Sequence, residues 1–133
     1  MSLVLLDTTV LIDAERSAAG FAGLVDDDDQ LAVAAISIAE IGVGLSLAKG
    51  KARQRRRAFF DDLVAQVPVL AYDVDVAHVH RDLLIATRKS GRQRGAHDLI
   101  IAATARAHGR LIVTADRSGF VDLPGVHVRA EGE

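Results

Sequence analysis

The sequence predicts an α/β fold in three layers, with helices on both sides of a central, mostly parallel sheet. Short unbroken apolar runs, typical of strands buried on both faces, alternate with helical segments along the chain. Only two prolines and 4% aromatic residues argue against a loop-rich all-β fold. We find no internal repeat or linker, and therefore expect residues 1–133 to form one domain.

The composition excludes several classes of protein and site. The absence of cysteine excludes disulfides, thiolate metal sites and cysteine nucleophiles. No apolar stretch approaches the roughly 20 residues that span a bilayer, and no signal peptide precedes Leu3. We therefore expect a cytoplasmic protein with no membrane partner. The net charge of −2 gives no overall attraction to nucleic acid.

The expected elements follow the apolar pattern and its breakers. Strands are expected at residues 3–6, 31–36, 69–72 and 111–114, with an edge strand at 126–128. Helices are expected at residues 10–16, 37–49, 51–67, 74–89 and 99–108. Thr8 or Thr9 is predicted to cap the first helix, and Gly50 to end the second. The four aspartates at 26–29 predict a solvated turn, and the tail from Glu131 is expected to be loose.

The second helix carries two further signals. Ser37 followed by Glu40 has the spacing of a capping box, so the helix is predicted to begin there. Gly42 and Gly44 lie inside the helix, where each costs roughly 0.5–1 kcal/mol relative to alanine. We expect another helix or a partner chain to approach this face closely.

Four acidic residues lie where strands end or where the following helices begin. Asp7 and Asp116 come at the ends of apolar strands, and Glu40 and Asp98 lie in the first turns of helices. In a parallel sheet these positions share one edge, so all four carboxylates are predicted to face one cleft. Each acid also has a local explanation as a helix cap or turn residue, and the functional interpretation depends on all four converging.

Carboxylates that crowd together either raise one another's pKa or bind a cation. Because the ligands are oxygens and no cysteine is present, the pattern favours Mg²⁺ or Mn²⁺. Such ions hold phosphate substrates and activate water for hydrolysis. Thr8 and Thr114 lie beside two of the acids and are candidates to orient a carboxylate or a water. The alternative is that both are ordinary threonines at strand ends.

Two basic segments fit a polyanionic partner. Arg88, Arg92 and Arg94 precede Asp98, so their loop is expected to border the acidic cleft and to contact RNA phosphates or a protein partner. The alternative is a solvated surface loop. The block Arg53–Arg57 begins a helix, where the dipole disfavours cations, which suggests contact with RNA or an acidic protein.

Four segments, in this order, resemble the PIN-domain ribonucleases, and most closely the toxin branch of the VapBC toxin–antitoxin systems. They are Val4–Ile12, Ser37–Glu40, Asp98–Ala105 and Leu111–Phe120. One departure is small: the last motif often reads Thr-x-Asp-x-x-Phe, whereas Phe120 here comes one residue later. The placement of Asp116 is therefore the least secure of the four.

The resemblance implies a Rossmann-like PIN domain with Mg²⁺- or Mn²⁺-dependent endoribonuclease activity. An acidic quartet of Asp7, Glu40, Asp98 and Asp116 would hold a metal-activated water, with Asp7, Asp98 and Asp116 as metal ligands and Thr114 in support. The resemblance also implies a homodimer and inhibition by a VapB-type antitoxin that lies across the toxin.

Two other functions stay open at this stage. A receiver-like phosphoacceptor domain also gathers acids at a sheet edge, but it needs a lysine at a strand end, and Asp73 is the only candidate phosphoacceptor after the third strand. A non-catalytic RNA-binding module would use the basic segments, but acids that face phosphates would oppose binding unless a metal intervened.

Overall fold

A computed structural model describes residues 1–129 and contains a four-stranded parallel sheet. The strands are β1 (Leu3–Leu6), β2 (Gln30–Ala34), β3 (Val69–Leu70) and β4 (Leu111–Val113). Their order across the sheet is β3-β2-β1-β4, and the register pairs Leu5 with Ala32 on one side and with Ile112 on the other. The expected central parallel sheet is confirmed.

Five α-helices connect and cover the strands. They are α1 (Thr8–Arg16), α2 (Ala35–Leu47), α3 (Gly50–Gln66), α4 (Val74–Ser90) and α5 (Ala96–Ala107), and a short 3-10 helix follows β4 at Arg117–Gly119. Gly91 ends α4 with φ of 69°, a left-handed conformation that glycine adopts without steric cost. No helix within residues 1–129 is long and apolar enough to cross a membrane.

The sheet separates two hydrophobic clusters, which gives the predicted three layers. Alternate strand residues point to opposite faces, so Leu5 and Ile112 belong to one cluster and Val4 and Leu6 to the other. The first cluster is completed by residues of α4, α5 and the segment after β4, including Val76, Leu83, Ile101 and Phe120. The second is completed by residues of α1, α2 and α3, including Val10, Leu11, Ile41, Phe60 and Leu63.

Several predicted boundaries were wrong. Helix α2 begins at Ala35 without a side-chain cap, so Ser37 and Glu40 form no capping box. Asp7, rather than Thr8 or Thr9, caps α1. Gly50 does not end α2, which stops at Leu47, but begins α3 with φ of 60°.

Three other predictions had mixed outcomes. The close approach expected at Gly42 and Gly44 does not occur within residues 1–129, because a Cβ added at either would meet nothing within 4 Å. The expected edge strand is reduced to a single parallel bridge between Val128 and Ile112. The acidic turn forms, but the side chain of its last residue, Asp29, is almost fully covered by Arg129 and is not solvated. The tail from Glu131 lies outside the described residues.

The strand order places a switch point beside β1. The chain proceeds from β1 through β2 to β3 on one side and returns to add β4 on the other side. The connection after β1 runs toward β2, whereas β4 lies on the other side of β1, and at such a point a crevice opens between the carboxyl ends of the two strands. Asp7 and Thr114 directly follow these two strands.

Candidate active site

Asp7 is the most buried acid of the predicted quartet, with 2% of its surface exposed. It follows β1 directly and caps α1, where its Oδ1 accepts a hydrogen bond from the Thr8 backbone N–H at 2.8 Å. Its own N–H donates to the Val113 carbonyl of β4. The capping role and a role in a site are therefore compatible, because the cap fixes the carboxylate at the sheet edge.

Two hydroxyl groups also donate to Asp7. The side chains of Thr9 and Thr114 each donate to Oδ2 at 2.8 Å. Burial raises the pKa of Asp7, the hydrogen bonds from Thr114, Thr9 and Thr8 lower it, and the charge of Glu40 raises it, with a net rise. Since Oδ2 accepts two bonds and Oδ1 only one, Oδ1 retains a lone pair for a further ligand.

Glu40 is attached to the same edge by a chain of hydroxyls. Thr8 Oγ1 donates to Glu40 Oε1 at 2.8 Å, and Thr8 Oγ1 and Ser37 Oγ lie 2.8 Å apart. The single Thr8 hydroxyl proton is used on Glu40, so Ser37 donates to Thr8. The other carboxylate oxygen, Oε2, lies 3.4 Å from His97 Nδ1. Glu40 is thus positioned by side chains from three helices.

Asp98 lies in the first turn of α5 and is partly buried. Burial is the largest cause of its raised pKa, followed by the negative charges of Asp7, Glu40 and Asp116, and His97 acts in the opposite direction. No donor among residues 1–129 forms a hydrogen bond or ion pair with its carboxylate. The three other predicted acids therefore lie within electrostatic reach of Asp98.

Asp116 is the most exposed of the four and caps the 3-10 helix. Its Oδ1 accepts hydrogen bonds from the Ser118 backbone N–H at 3.1 Å and from Ser118 Oγ at 2.6 Å. Thr114 Oγ1 accepts from the Asp116 N–H, which joins this turn to Asp7. The 3-10 turn accommodates the extra residue before Phe120, whose ring is buried in the core.

The quartet is open rather than tightly clustered. Within the described part of the chain, the only three acids whose ligand oxygens all lie within 4.8 Å of one another are Asp26, Asp28 and Asp29, in the acidic turn. That turn has its own cations, because Arg129 binds Asp29 and the amino terminus lies 3.0 Å from Asp28. The four acids at the sheet edge form no ion pair with an arginine or lysine of residues 1–129, and His97 lies 3.4 Å from Glu40.

Arg92 and Arg94 lie in the loop before α5, whereas Arg88, predicted to lie there too, is in the last turn of α4. Arg94 donates to the carbonyls of Ser118 and Val121, and Arg92 also donates to Ser118. Burial and the charge of Arg92 lower the pKa of Arg94. Arg88 is exposed and makes no hydrogen bond or ion pair within residues 1–129. The loop therefore borders the cleft, and contact with RNA or a protein stays a prediction.

The basic block at the start of α3 has a partner inside the chain. Arg55 Nε and Arg56 Nε each donate to Glu15 of α1 at 3.3 Å, and only 1% of the Glu15 side chain is exposed. Two of the arginines at 53–57 therefore neutralise a buried acid. This contact explains cations at a helix start without RNA or an acidic protein.

Sequence reasoning missed several residues of this region. The sequence pattern assigns Ser37 and Thr9 only to helix caps, and His97 lacks the spacing of a metal-binding histidine. The positions of Ser37 and Thr9, three and two residues from the acids, are visible in the sequence, but the directions of their side chains are not. Gly95 and Gly119, which lie against Asp98, carry no recognisable signal.

Comparison with known proteins shows the family to which the chain belongs. The sequence profile of the PIN domain matches residues 4–126. A VapC ribonuclease of Sinorhizobium fredii, Y4jK, is 34% identical over 128 residues, which cover 89% of this chain and 90% of the relative.

Solved structures share the fold. VapBC-5 from Mycobacterium tuberculosis superposes with a TM-score of 0.78 at 27% identity and covers 98% of this chain and 100% of that chain. VapBC2 from Rickettsia felis, bound to a DNA fragment from its promoter, superposes with a TM-score of 0.82 at 20% identity and covers 96% and 97%. The protein therefore belongs to the PIN domain family and to its VapC branch.

Proposed function

We propose that this protein is a Mg²⁺- or Mn²⁺-dependent endoribonuclease and the toxin of a VapBC-type toxin–antitoxin system. One observation carries the proposal. The Asp98 carboxylate is partly buried and surrounded by three other carboxylates, yet no cation or donor within residues 1–129 bonds to it. An ionised carboxylate in this position destabilises the fold unless a cation binds to it.

The donor set fits a hard divalent cation. Asp7 Oδ1 has a free lone pair, Asp98 has two uncommitted oxygens, and Asp116 Oδ2 accepts no hydrogen bond from residues 1–129. The open spacing suits Mg²⁺, which keeps several waters and takes only one or two carboxylates directly. When bound, the ion would stabilise charge on the phosphate and lower the pKa of a coordinated water.

The chain's own residues supply the rest of the chemistry. Glu40, fixed by Thr8 and Ser37, would accept a hydrogen bond from the attacking water and orient it toward phosphorus. In-line attack breaks the bond from phosphorus to the 3′ oxygen and leaves 5′-phosphate and 3′-hydroxyl ends. Arg88, exposed in the last turn of α4, would hold a neighbouring phosphate of the RNA.

The two alternative functions receive less support. In a receiver-like domain the acid after β3 would accept phosphate, but β3 is an edge strand, and Asp73 is exposed there and is not among the acids that raise the pKa of Asp98. A purely RNA-binding surface would not gather uncompensated carboxylates beside the basic loop, because they repel phosphates.

Cleavage of a structured RNA by the purified protein tests the proposal. The assay compares Mg²⁺, Mn²⁺ and EDTA for the wild type, Asp7→Asn and Asp98→Asn, with Asp61→Asn, an exposed acid of α3, as the control variant. We expect metal-dependent cleavage that both site variants lose by a factor of about 100 or more and the control retains. Cleavage that persists in both site variants would contradict the assignment.

A toxin can require a particular RNA, so metal binding is measured independently. Calorimetric titration with Mn²⁺ is expected to give binding to the wild type and to Asp61→Asn, and greatly weakened binding to Asp98→Asn. If the wild type binds no Mn²⁺ and cleaves no RNA, the proposed function is wrong.

A protein inhibitor of the VapB type is part of the proposal, because the solved relatives are described as VapBC complexes. An apolar cleft lies between α1, α2 and α3, with Gly44 and Glu40 in its lining. We propose this cleft, with Gly44 in its lining, as the antitoxin contact. A complex structure with the antitoxin distant from Gly44 would refute that contact. The homodimer stays a proposal, tested by light scattering.

A further inference from the structure

The carboxylate of Asp98 lies between two glycines from different segments. A Cβ added to Gly119, in the 3-10 helix after β4, would lie 2.6 Å from Asp98 Oδ2 and 3.2 Å from its Cγ. A Cβ added to Gly95, the cap residue of α5, would lie 3.0 Å from Oδ2 and 3.4 Å from Cγ. Real Cβ atoms essentially never approach another heavy atom within 3.0 Å, so a side chain at Gly119 would displace the carboxylate.

Backbone conformation does not explain these two glycines. Gly95 has φ of −61° and ψ of 138°, which any residue adopts, and Gly119 is not among the glycines with positive φ. Alanine therefore fits the backbone at both positions. What an added methyl group would meet is the carboxylate of Asp98.

Arginine side chains hold the two glycine segments together. Arg94, one residue before Gly95, donates to the carbonyls of Ser118 and Val121, on either side of Gly119. Arg92 donates to the Ser118 carbonyl as well. Because these bonds hold the turn that carries Gly119 close to the start of α5, the turn is not free to retreat from an added methyl group.

We propose that Gly119 and Gly95 form a cradle that sets the position of the Asp98 carboxylate, with Gly119 as the stricter of the two positioning residues. This inference rests on the proposed function, since Asp98 is the proposed metal ligand. An alanine at Gly119 would displace the carboxylate from its present position. An alanine at Gly95 requires a shift of only a few tenths of an ångström.

Calorimetric titration with Mn²⁺ tests the proposal on Gly119→Ala, Gly95→Ala and the matched control Gly42→Ala. The control makes the same change of glycine to alanine, but a Cβ at Gly42 meets nothing within 4 Å. We expect the Kd for Mn²⁺ to rise about tenfold or more in Gly119→Ala, by a smaller factor in Gly95→Ala, and by less than about twofold in Gly42→Ala. Thermal unfolding in EDTA checks that each variant folds.

Each result has a defined meaning. Wild-type affinity in a folded Gly119→Ala would overturn the cradle while leaving the proposed function intact, whereas absence of Mn²⁺ binding in the wild type would count against the proposed function. If Gly119→Ala does not fold, the test is made on Gly95→Ala. An affinity of Gly95→Ala for Mn²⁺ equal to that of Gly42→Ala would then overturn the proposal.

Discussion

Buried and half-buried acids occur in two settings in this protein, and they are balanced in different ways. Glu15 and Asp29 are covered by arginines, which bind Glu15 from α3 and Asp29 from residue 129, and the pKa of Asp29 falls to about 2. Asp7 and Asp98, at the sheet edge, have no arginine or lysine partner within residues 1–129, and their pKa values rise.

The difference separates structural acids from acids available to a ligand. An arginine fork occupies carboxylate oxygens and leaves little for a metal. Hydroxyl and backbone donors orient Asp7 while leaving a lone pair, and Asp98 keeps both oxygens. The acidic turn at Asp26–Asp29 has the tighter geometry but already contains its cations, so proximity alone is a poor guide to a metal site.

Removing a hydroxyl that orients Asp7 should have the largest effect. Thr114→Val loses the donor to Asp7 Oδ2 and the acceptor for the Asp116 N–H, and we expect RNA cleavage to fall by up to about 100-fold. Thr114→Ser keeps both bonds and should retain most of the activity. Equal loss in the two variants would mean that the methyl group, not the hydroxyl, matters.

Glu15→Gln should affect stability and not chemistry. The neutral amide would lose the charge-assisted bonds to Arg55 and Arg56, so we expect the free energy of unfolding to drop by about 2 kcal/mol in urea denaturation. Cleavage per folded molecule should be unchanged. A drop in cleavage without a drop in stability would contradict the distinction between structural acids, such as Glu15, and the acids available to a ligand.

The two settings should respond oppositely to pH when stability is measured in EDTA. The folded-state pKa of Asp98 lies above its unfolded value of 3.8, so its cost to stability grows as pH rises through the folded pKa. Asp98→Asn should therefore raise Tm modestly near neutral pH and not at acidic pH below 3.8. An Asp98→Asn Tm below that of the wild type near neutral pH would contradict this interpretation.

The contribution of Asp29 to stability should change with pH in the opposite direction to that of Asp98. Its folded pKa of about 2 lies below 3.8, so its contribution to stability is present above pH 3.8 and is lost as pH falls toward 2. Asp29→Asn should lower Tm near neutral pH, with a difference from the wild type that shrinks as the pH approaches 2. A difference that stays constant with pH would show that the ionised form is not what stabilises the turn.

The smallest expected effect concerns Arg88, in the last turn of α4. In an Asp98→Asn background that does not cleave, Arg88→Ala should weaken RNA binding and reduce the slope of log K against log salt by about 0.7, with no change in Tm. Arg94→Ala should instead lower Tm, because its guanidinium binds two carbonyls. An unchanged salt slope in Arg88→Ala would exclude a phosphate contact at that residue.

The sequence by itself predicted the layered α/β architecture, which the structure confirms, and it indicated four acids as candidate site residues. Apolar runs such as Val4–Leu6 identify buried strands, because a run of apolar side chains can be read directly from consecutive residues of the sequence. The order of strands then places Asp7, Glu40, Asp98 and Asp116 on one edge. The capping box predicted from Ser37 and Glu40 was wrong. Both side chains bond to Thr8 instead, and the spacing of Ser37 and Glu40 in the sequence does not distinguish that arrangement from a local cap.

Only the tertiary structure decided which charges meet. Glu15 and Arg56 are 41 residues apart and pair across two helices, and nothing local distinguishes Arg56 from an arginine that faces solvent. Gly119 and Asp98 likewise come together only because the turn after β4 folds against the start of α5. Sequence patterns report which side of an element is buried, whereas the partner of a buried charge depends on packing between elements distant in the chain.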